Sequence, residues 1–212
     1  MEIILKHSID KINFSPLILI LVILFFSGSA SGQKNSWHYD YDVFSTDGSK
    51  KVFGPHFSIK IRKNMEWMDG ERAHIIKKFY DTTDAYIPTL VIQSRVADET
   101  TPMKQLLREL SPKSMEFILL KDGLKIDQCE AGYVEHYMVL DAESSPEMMD
   151  VRRFVRTYAI RYKNGAIYLM FAISKYNNNT EKFSEEDLKY YRKYFHEMAI
   201  STIVTSRWKK DN

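Results

Sequence analysis

The six histidines are the side chains best suited to acid–base or metal chemistry, and they occur singly along the chain: His7, His38, His56, His74, His136 and His196. A metal site needs three or four oxygen or nitrogen ligands that converge on one point. Within a short segment, His38, Asp40 and Asp42 share one face of a predicted strand. We interpret that face as a solvated strand edge, so the sequence predicts no metal site and no cofactor.

Motifs of nucleophilic or phosphate chemistry are absent from the sequence. It contains no G-x-S-x-G, no H-E-x-x-H and no phosphate-binding glycine loop. The single cysteine, Cys129, has no evident base beside it in the sequence. We therefore predict that the protein is not an enzyme. The alternative is an envelope enzyme of hydrolase type whose site brings together distant residues such as Glu135, His136 and Arg156.

Basic residues are densest between positions 151 and 163: Arg152, Arg153, Arg156, Arg161 and Lys163. Strand alternation puts Arg153 and Arg161 on one face and Arg152 and Arg156 on the other. This division favours structural ion pairs with acids such as Glu135, Asp141 or Glu143 over one anion site. A weaker basic surface of the same kind consists of Lys50, Lys51, Lys60, Arg62 and Lys63.

Residues 1–32 have the pattern of a secretory signal peptide. Lysines precede an apolar run from Phe14 to Phe26, and small residues follow, so that cleavage after Ala30 or Gly32 would fit. The run is shorter than the roughly 20 residues that cross a bilayer. We predict a secreted or periplasmic protein, and the alternative is an uncleaved membrane anchor that associates through residues 12–26.

The remaining segment, residues 33–212, is predicted to form a single domain. The hydrophobic and charged fractions of the whole chain, 44% and 27%, are those of a globular protein. Loss of residues 1–32 removes as many acidic as basic residues, so the net charge stays at +2. That balance gives no reason to expect nucleic acid binding. With Cys129 as its one cysteine, the chain has no internal disulfide, and its core must stabilise it.

A β-hairpin from Val151 to Ser174 is the predicted centre of the fold. Its first arm alternates, Asn164-Gly165 supplies a turn, and the return arm from Ala166 to Ile173 is continuously apolar. Such a return arm is typical of a strand covered on both faces. The predicted strands are 57–62, 74–80, 89–96, 133–140, 151–163 and 166–175.

Other patterns predict the surrounding elements. Alternation at Trp37–Asp42 predicts a first edge strand, and Met65–Gly70 is predicted as a connection with its tryptophan inward. Two helices are predicted to begin at Thr101-Pro102 and Ser111-Pro112, and the second ends by Lys121. Lys125 to Leu140 is predicted as strand with a break near Ala131-Gly132. Ser184 is expected to cap a last amphipathic helix whose apolar stripe reaches Ile203.

The order of elements resembles the PsbP-like fold, the α/β/α sandwich of the photosystem subunit PsbP and the Ran-binding Mog proteins. The matching features are F-S-I-K-I at Phe57–Ile61 followed by Trp67, two helices after a strand ending at Val96, the long hairpin, and S-T-I-V at Ser201–Val204. The resemblance covers roughly residues 50–206. It implies a non-catalytic module that binds a protein or a ligand.

The predicted fold class is α+β, with an antiparallel sheet of about six or seven strands covered by helices on both faces. The predicted function is an exported binding or accessory module of the cell envelope, with a protein partner or a small apolar ligand. Beside the enzyme alternative, a high aromatic content leaves a lipid-binding or apolar-ligand groove open. A solid, well-packed core would exclude that groove.

Overall fold

The computed structural model describes residues 40–46, 56–110, 116–140, 151–162, 165–175 and 182–205. These residues form ten strands and two helices. In chain order they are β1 (Tyr41–Ser45), β2 (His56–Arg62), β3 (Glu66–Asp69), β4 (Ile75–Tyr80), β5 (Thr89–Val96), α1 (Met103–Glu109), β6 (Glu116–Ile126), β7 (Cys129–Leu140), β8 (Val151–Tyr162), β9 (Gly165–Lys175), α2 (Glu185–Ile200) and β10 (Ile203–Thr205).

The strands form two antiparallel sheets. The larger sheet has seven strands in the order β3-β4-β5-β9-β8-β7-β6, and the smaller has three in the order β1-β2-β10. The α+β class with antiparallel sheets is therefore confirmed. The division into two sheets was not predicted, and it places the expected strand 57–62 in the smaller one.

The β8–β9 hairpin lies at the centre of the larger sheet, as the sequence predicted. Of the eleven residues of β9, nine are buried, because β5 and β8 flank the strand and apolar side chains cover both of its faces. A strand without polar alternation is the expected product of such two-sided burial. The hairpin thus forms the middle of the larger sheet, with three strands on the β9 side and two on the β8 side.

The two helices contact side chains of opposite faces of the larger sheet. Buried residues of α1 cluster with Ala159 and Tyr168, whereas those of α2 cluster with Tyr158 and Phe171. Because neighbouring strand residues point to opposite faces, Tyr158 and Ala159 cannot serve the same helix. Neither helix combines the length and apolarity that a membrane span needs among the described residues.

Aromatic rings fill the space between α2 and the sheet. The rings of Phe171 and Phe195 stack with centroids 5.0 Å apart, and Tyr158 meets Phe171 edge-on at 5.9 Å. The same core cluster includes Phe57 and Ile59 of β2, so the smaller sheet shares it. Contacts of this kind add about 0.5–1.5 kcal/mol per pair beyond the burial of area.

Ser184 caps α2, as predicted. Its hydroxyl accepts a hydrogen bond from the backbone N–H of Asp187 at 3.1 Å, and three acidic residues occupy the first turn. The predicted extension of the helix to Ile203 is wrong. The chain leaves the helix after Ile200 and forms β10, which pairs with β2 while Val204 N–H donates to Asp127 Oδ2 at 2.7 Å.

The predicted second helix ending at Lys121 is wrong where the structure describes it. Residues from Glu116 to Ile126 form β6, an edge strand paired with β7, and residues 111–115 lie outside the described residues. The apolar run F-I-L-L favours neither structure by periodicity alone. Pairing with the long strand β7 decides the conformation, and Gly123, with φ of +72°, lies at a bulge within the strand.

The predicted strand from Lys125 to Leu140 turns back on itself near its start. Asp127 and Gln128 connect β6 to β7 with φ of +46° and +66°, the conformation of a type I′ hairpin turn. The predicted break at Ala131-Gly132 is absent, because both residues pair with β8 in a continuous strand. The sequence interpretation took Gly132 for an interruption of the strand. The residue instead allows β7 to pack closely against Leu107 and the backbone of Lys121.

Replacing Gln128 by glycine is expected to raise the free energy of unfolding by about 0.5–1 kcal/mol. Glycine adopts positive φ without the steric cost that a side chain imposes there. Chemical denaturation of Gln128→Gly and Gln128→Ala provides the measurement and its control, since alanine loses the same side chain but keeps the strain. Equal stability of the two variants would contradict the prediction.

Three smaller expectations also change. Trp67 is 60% exposed on edge strand β3, where the Lys77 ammonium lies 3.4 Å from its ring centroid. The sequence predicted a connection at Met65–Gly70 with Trp67 inward. Glu66–Asp69 instead form a strand at the sheet edge, where the Lys77 side chain, and not the core, covers the ring.

The predicted turn at Asn164-Gly165 also changes. Gly165 belongs to β9, paired with Tyr162 and Val96, and Asn164 lies outside the described residues. The first strand begins at Tyr41 and belongs to the smaller sheet; residues 37–39 are outside the described part.

Candidate functional site

The most polar cluster in the core is built around Glu135, a fully buried carboxylate on β7. Its Oε1 accepts a hydrogen bond from Arg156 Nε of β8 at 2.6 Å, and Arg156 Nη2 forms an ion pair with the same oxygen. Its Oε2 accepts from Arg192 of α2, from Nε at 3.1 Å and from Nη2 at 3.0 Å. Two guanidinium groups therefore occupy both oxygens of the carboxylate.

Arg156 also makes contacts beyond this carboxylate. Its Nη1 donates to the Tyr158 hydroxyl at 3.1 Å and to the backbone carbonyl of Arg192 at 2.9 Å. Its guanidinium lies 4.5 Å from the centroid of the Tyr133 ring. Arg192 forms a second ion pair with Glu185 at 3.4 Å, so two cations and two carboxylates balance. The arrangement fastens α2 to the sheet.

Tyr158 and His196 extend the cluster, which we call the Glu135 cluster: Glu135, Arg156, Tyr158, Arg192 and His196. The Tyr158 hydroxyl lies 3.1 Å from His196 Nδ1, and the two rings stack. Burial raises the pKa of Tyr158 to about 12, against a smaller lowering by Arg156. Burial, and then Arg156 and Lys121, lower the pKa of His196. Both shifts favour uncharged side chains at neutral pH.

His136 does not join this cluster, although it follows Glu135 directly in the sequence. It pairs across the sheet with Val155 and Phe117, on the face opposite to Glu135, because adjacent strand residues point to opposite sides. The imidazole is 2% exposed and its Nδ1 has no hydrogen-bond partner. The hypothesised pocket of Glu135, His136 and Arg156 is therefore not assembled: two of these residues are paired with each other, and the third points away.

Stability is expected to fall as the pH drops below about 6.5, the usual pKa of histidine in an unfolded chain. Burial lowers the pKa of His136 in the folded protein. At pH values just below about 6.5 the unfolded state therefore binds a proton that the folded state does not bind, and this favours unfolding. Denaturant unfolding at several pH values from about 5 to 8 measures the slope. His136→Leu is expected to reduce the slope of the free energy of unfolding against pH. An unchanged slope would contradict the assignment of the pH dependence to His136.

The other candidate ligands do not converge. Asp40 is exposed and lies 3.5 Å from Lys63, Asp42 is exposed, and His38 lies outside the described residues. In the part of the chain that the structure describes, no three potential ligands form a metal-binding group. Cys129 is half-buried and forms no disulfide; burial, and then Asp127, raise the pKa of its thiol.

The arginines of β8 bind structural partners, as the sequence predicted. Arg152 lies 3.7 Å from Glu116, and Arg153 donates to Ser174. Arg161 pairs with Glu130 at 2.9 Å and donates to three backbone carbonyls of the loop before α1. Of the second basic set, Arg62 is buried beside the Tyr194 ring. Lys50, Lys51, Lys163, Asp141 and Glu143 lie outside the described residues.

The sequence interpretation did not single out Arg192, and it named His196 only among the six scattered histidines. Arg192 and His196 occur four residues apart on α2, beside the apolar stripe that packs on the sheet. Polar side chains at that spacing share one helix face. This was the available signal, but it does not reveal that a glutamate 57 residues earlier lies opposite Arg192.

Comparisons with known proteins leave the family open. No protein-family model matches the chain, and no curated protein matches it. Among solved structures, LpqN, involved in cell envelope biogenesis of Mycobacterium tuberculosis, is 10% identical with a TM-score of 0.49, over 78% of this chain and 91% of LpqN. A Bacteroides thetaiotaomicron protein is 13% identical with a TM-score of 0.43, over 73% of this chain and 47% of that protein, so this chain spans about half its length. These values are too low to assign a family, and the PsbP-like resemblance stays a prediction.

Proposed function

We propose that this protein is an exported, non-catalytic binding or accessory module of the cell envelope. The observation that carries the proposal is that arginine side chains already bond to both carboxylate oxygens of Glu135. A general base or nucleophile must present an unoccupied atom to the substrate. Both oxygens of Glu135 are instead occupied by arginines, so the cluster acts as an internal fastening of α2.

The location rests on the N-terminal sequence. Lysines, an apolar run and small residues within residues 1–32 follow the order that directs a chain to export. A protein that stands in the envelope without catalytic chemistry acts by holding a partner or a ligand. These two arguments together support the proposed accessory function.

The alternatives receive less support. The proposed enzyme site fails geometrically, because His136 points away from Glu135. An apolar-ligand groove between α2 and the sheet is disfavoured, since Phe171, Phe195 and Tyr158 occupy that space in mutual contact. A bound protein is therefore the preferred partner.

Native mass spectrometry of the protein, extracted gently from its own cells, tests the proposal. We expect a chain that begins near Ser31 or Gln33 and carries a bound protein. A full-length chain without a partner would contradict signal cleavage and accessory binding, and would favour the membrane anchor.

His196→Gln provides a matched control for the non-catalytic part of the proposal. The substitution removes the imidazole of the Glu135 cluster but keeps a hydrogen-bonding side chain of similar size. The mass of the bound species is expected to be unchanged in this variant. If the unmodified protein turns over a substrate and His196→Gln does not, the proposal of a non-catalytic function is contradicted.

A further inference from the structure

β6 is the longer of the two edge strands of the larger sheet. β6 has eleven residues and pairs with β7 on one side, and no described strand pairs with its other side. The opposite edge of the sheet, β3, has only four residues. An unpaired edge carries backbone N–H and C=O groups that can bond either to water or to another strand.

The first half of β6 carries the exposed apolar residues of this edge. Phe117 is 55% exposed and Leu119 is 42% exposed, one on each face of the sheet, as their partners His136 and Glu135 show. Charged residues and a glycine bulge occupy the second half of the strand. Natural edges use such charges and bulges against pairing. The first half also contains a bulge, between Phe117 and Leu119, so it differs from the second half by its uninterrupted apolar residues 117–120 and not by the absence of a bulge.

The order of residues 116–121, E-F-I-L-L-K, is complementary to itself in the antiparallel direction. When two copies are aligned about a point between Ile118 and Leu119, Glu116 of each lies opposite Lys121 of the other. Four apolar residues from each copy then meet between the two charge pairs. Opposite charges across neighbouring strands stabilise pairing, and a two-fold axis makes each contact occur twice.

We propose that the β6 edge is a homodimer interface, in which β6 of a second copy pairs with it antiparallel and joins the two larger sheets. The bulge between Phe117 and Leu119 lies next to the two-fold axis, so the bulges of the two copies oppose each other. Glu116, whose side chain is 49% exposed, also bonds to Lys182 within its own chain. Glu116 also lies 3.7 Å from Arg152 of its own chain, so Lys121 of the second copy would share this carboxylate with two cations of the same chain.

Analytical ultracentrifugation over a wide range of concentration tests the proposal on the chain as its cells produce it. We expect a reversible dimer, and Leu119→Lys is expected to raise its dissociation constant at least about tenfold. Val96→Lys, at an 85% exposed residue of β5, is the matched control and should leave the constant unchanged. A chain that stays monomeric would overturn the proposal and leave the edge to a strand of another protein. Equal effects of the two variants would overturn it as well.

Charge exchange tests the register itself. Glu116→Lys and Lys121→Glu each place like charges opposite each other twice, so each variant alone should dissociate. An equimolar mixture restores both opposite-charge pairs, and we expect it to form a heterodimer. Two monomers in the mixture would overturn the register, even if each folds normally by circular dichroism.

Discussion

Replacing Glu135 by alanine is expected to lower the free energy of unfolding by about 3–5 kcal/mol. The variant leaves the guanidinium of Arg156, which is buried, and that of Arg192, which is partly buried, without the carboxylate that both contact. Removal of one partner from a buried ion pair costs more than the pair contributes, because the remaining charge stays out of water. Equilibrium denaturation with urea measures the change.

Glu185→Ala is the matched control for this experiment. It also removes a carboxylate from Arg192, but Glu185 is 87% exposed and water replaces it. Exposed pairs contribute at most about 1 kcal/mol. If Glu135→Ala costs no more than Glu185→Ala, the description of the cluster as the fastening of α2 is wrong.

A combined replacement separates the fastening from the charge. Glu135→Leu with Arg156→Met and Arg192→Leu removes all three charges and fills the space with apolar side chains. Well-packed replacements of buried ion networks are often neutral or stabilising. We expect the triple variant to recover most of the stability lost in Glu135→Ala. Failure to recover would mean that the hydrogen bonds to Tyr158 and to the α2 backbone carry most of the effect.

The sequence predicted the centre of the fold well because its strands have unambiguous patterns. Thr89–Val96 was predicted to the residue. The strand predicted from Val151 begins at the observed residue, and the strand predicted from Ala166 begins one residue late and ends at the observed Lys175. The cap at Ser184 marked the start of α2 correctly. In each case the local pattern agrees with the tertiary environment.

The errors occur where local pattern and tertiary contact disagree. F-I-L-L at residues 117–120 has no clear period, and pairing with β7 makes it a strand. The Glu135 cluster could be predicted only in part. Alternation indicated that Arg156 needs an acid, but the approach of Arg192 depends on how α2 lies across the sheet, which no local pattern encodes.

Gly132→Val is expected to cost about 3 kcal/mol or more, because β7 touches both α1 and the backbone of β6 at this glycine. A Cβ built on Gly132 would lie 2.7 Å from Leu107 Cδ1 of α1 and 2.7 Å from the carbonyl oxygen of Lys121. The leucine can rotate, but the carbonyl belongs to the backbone at the β6 bulge and cannot move without shifting the strand. Thermal and urea unfolding measure the loss.

Gly123→Asn is the control for a glycine at the same bulge with open surroundings. Gly123 has φ of +72°, which asparagine tolerates better than most residues, and no atom lies within 4 Å of a Cβ built on it. We expect a change of about 1 kcal/mol or less. Comparable losses in both variants would mean that the bulge conformation matters more than the contact with α1. A large loss confined to Gly132→Val would show that a glycine resembling a strand break in the sequence is where α1, β6 and β7 meet.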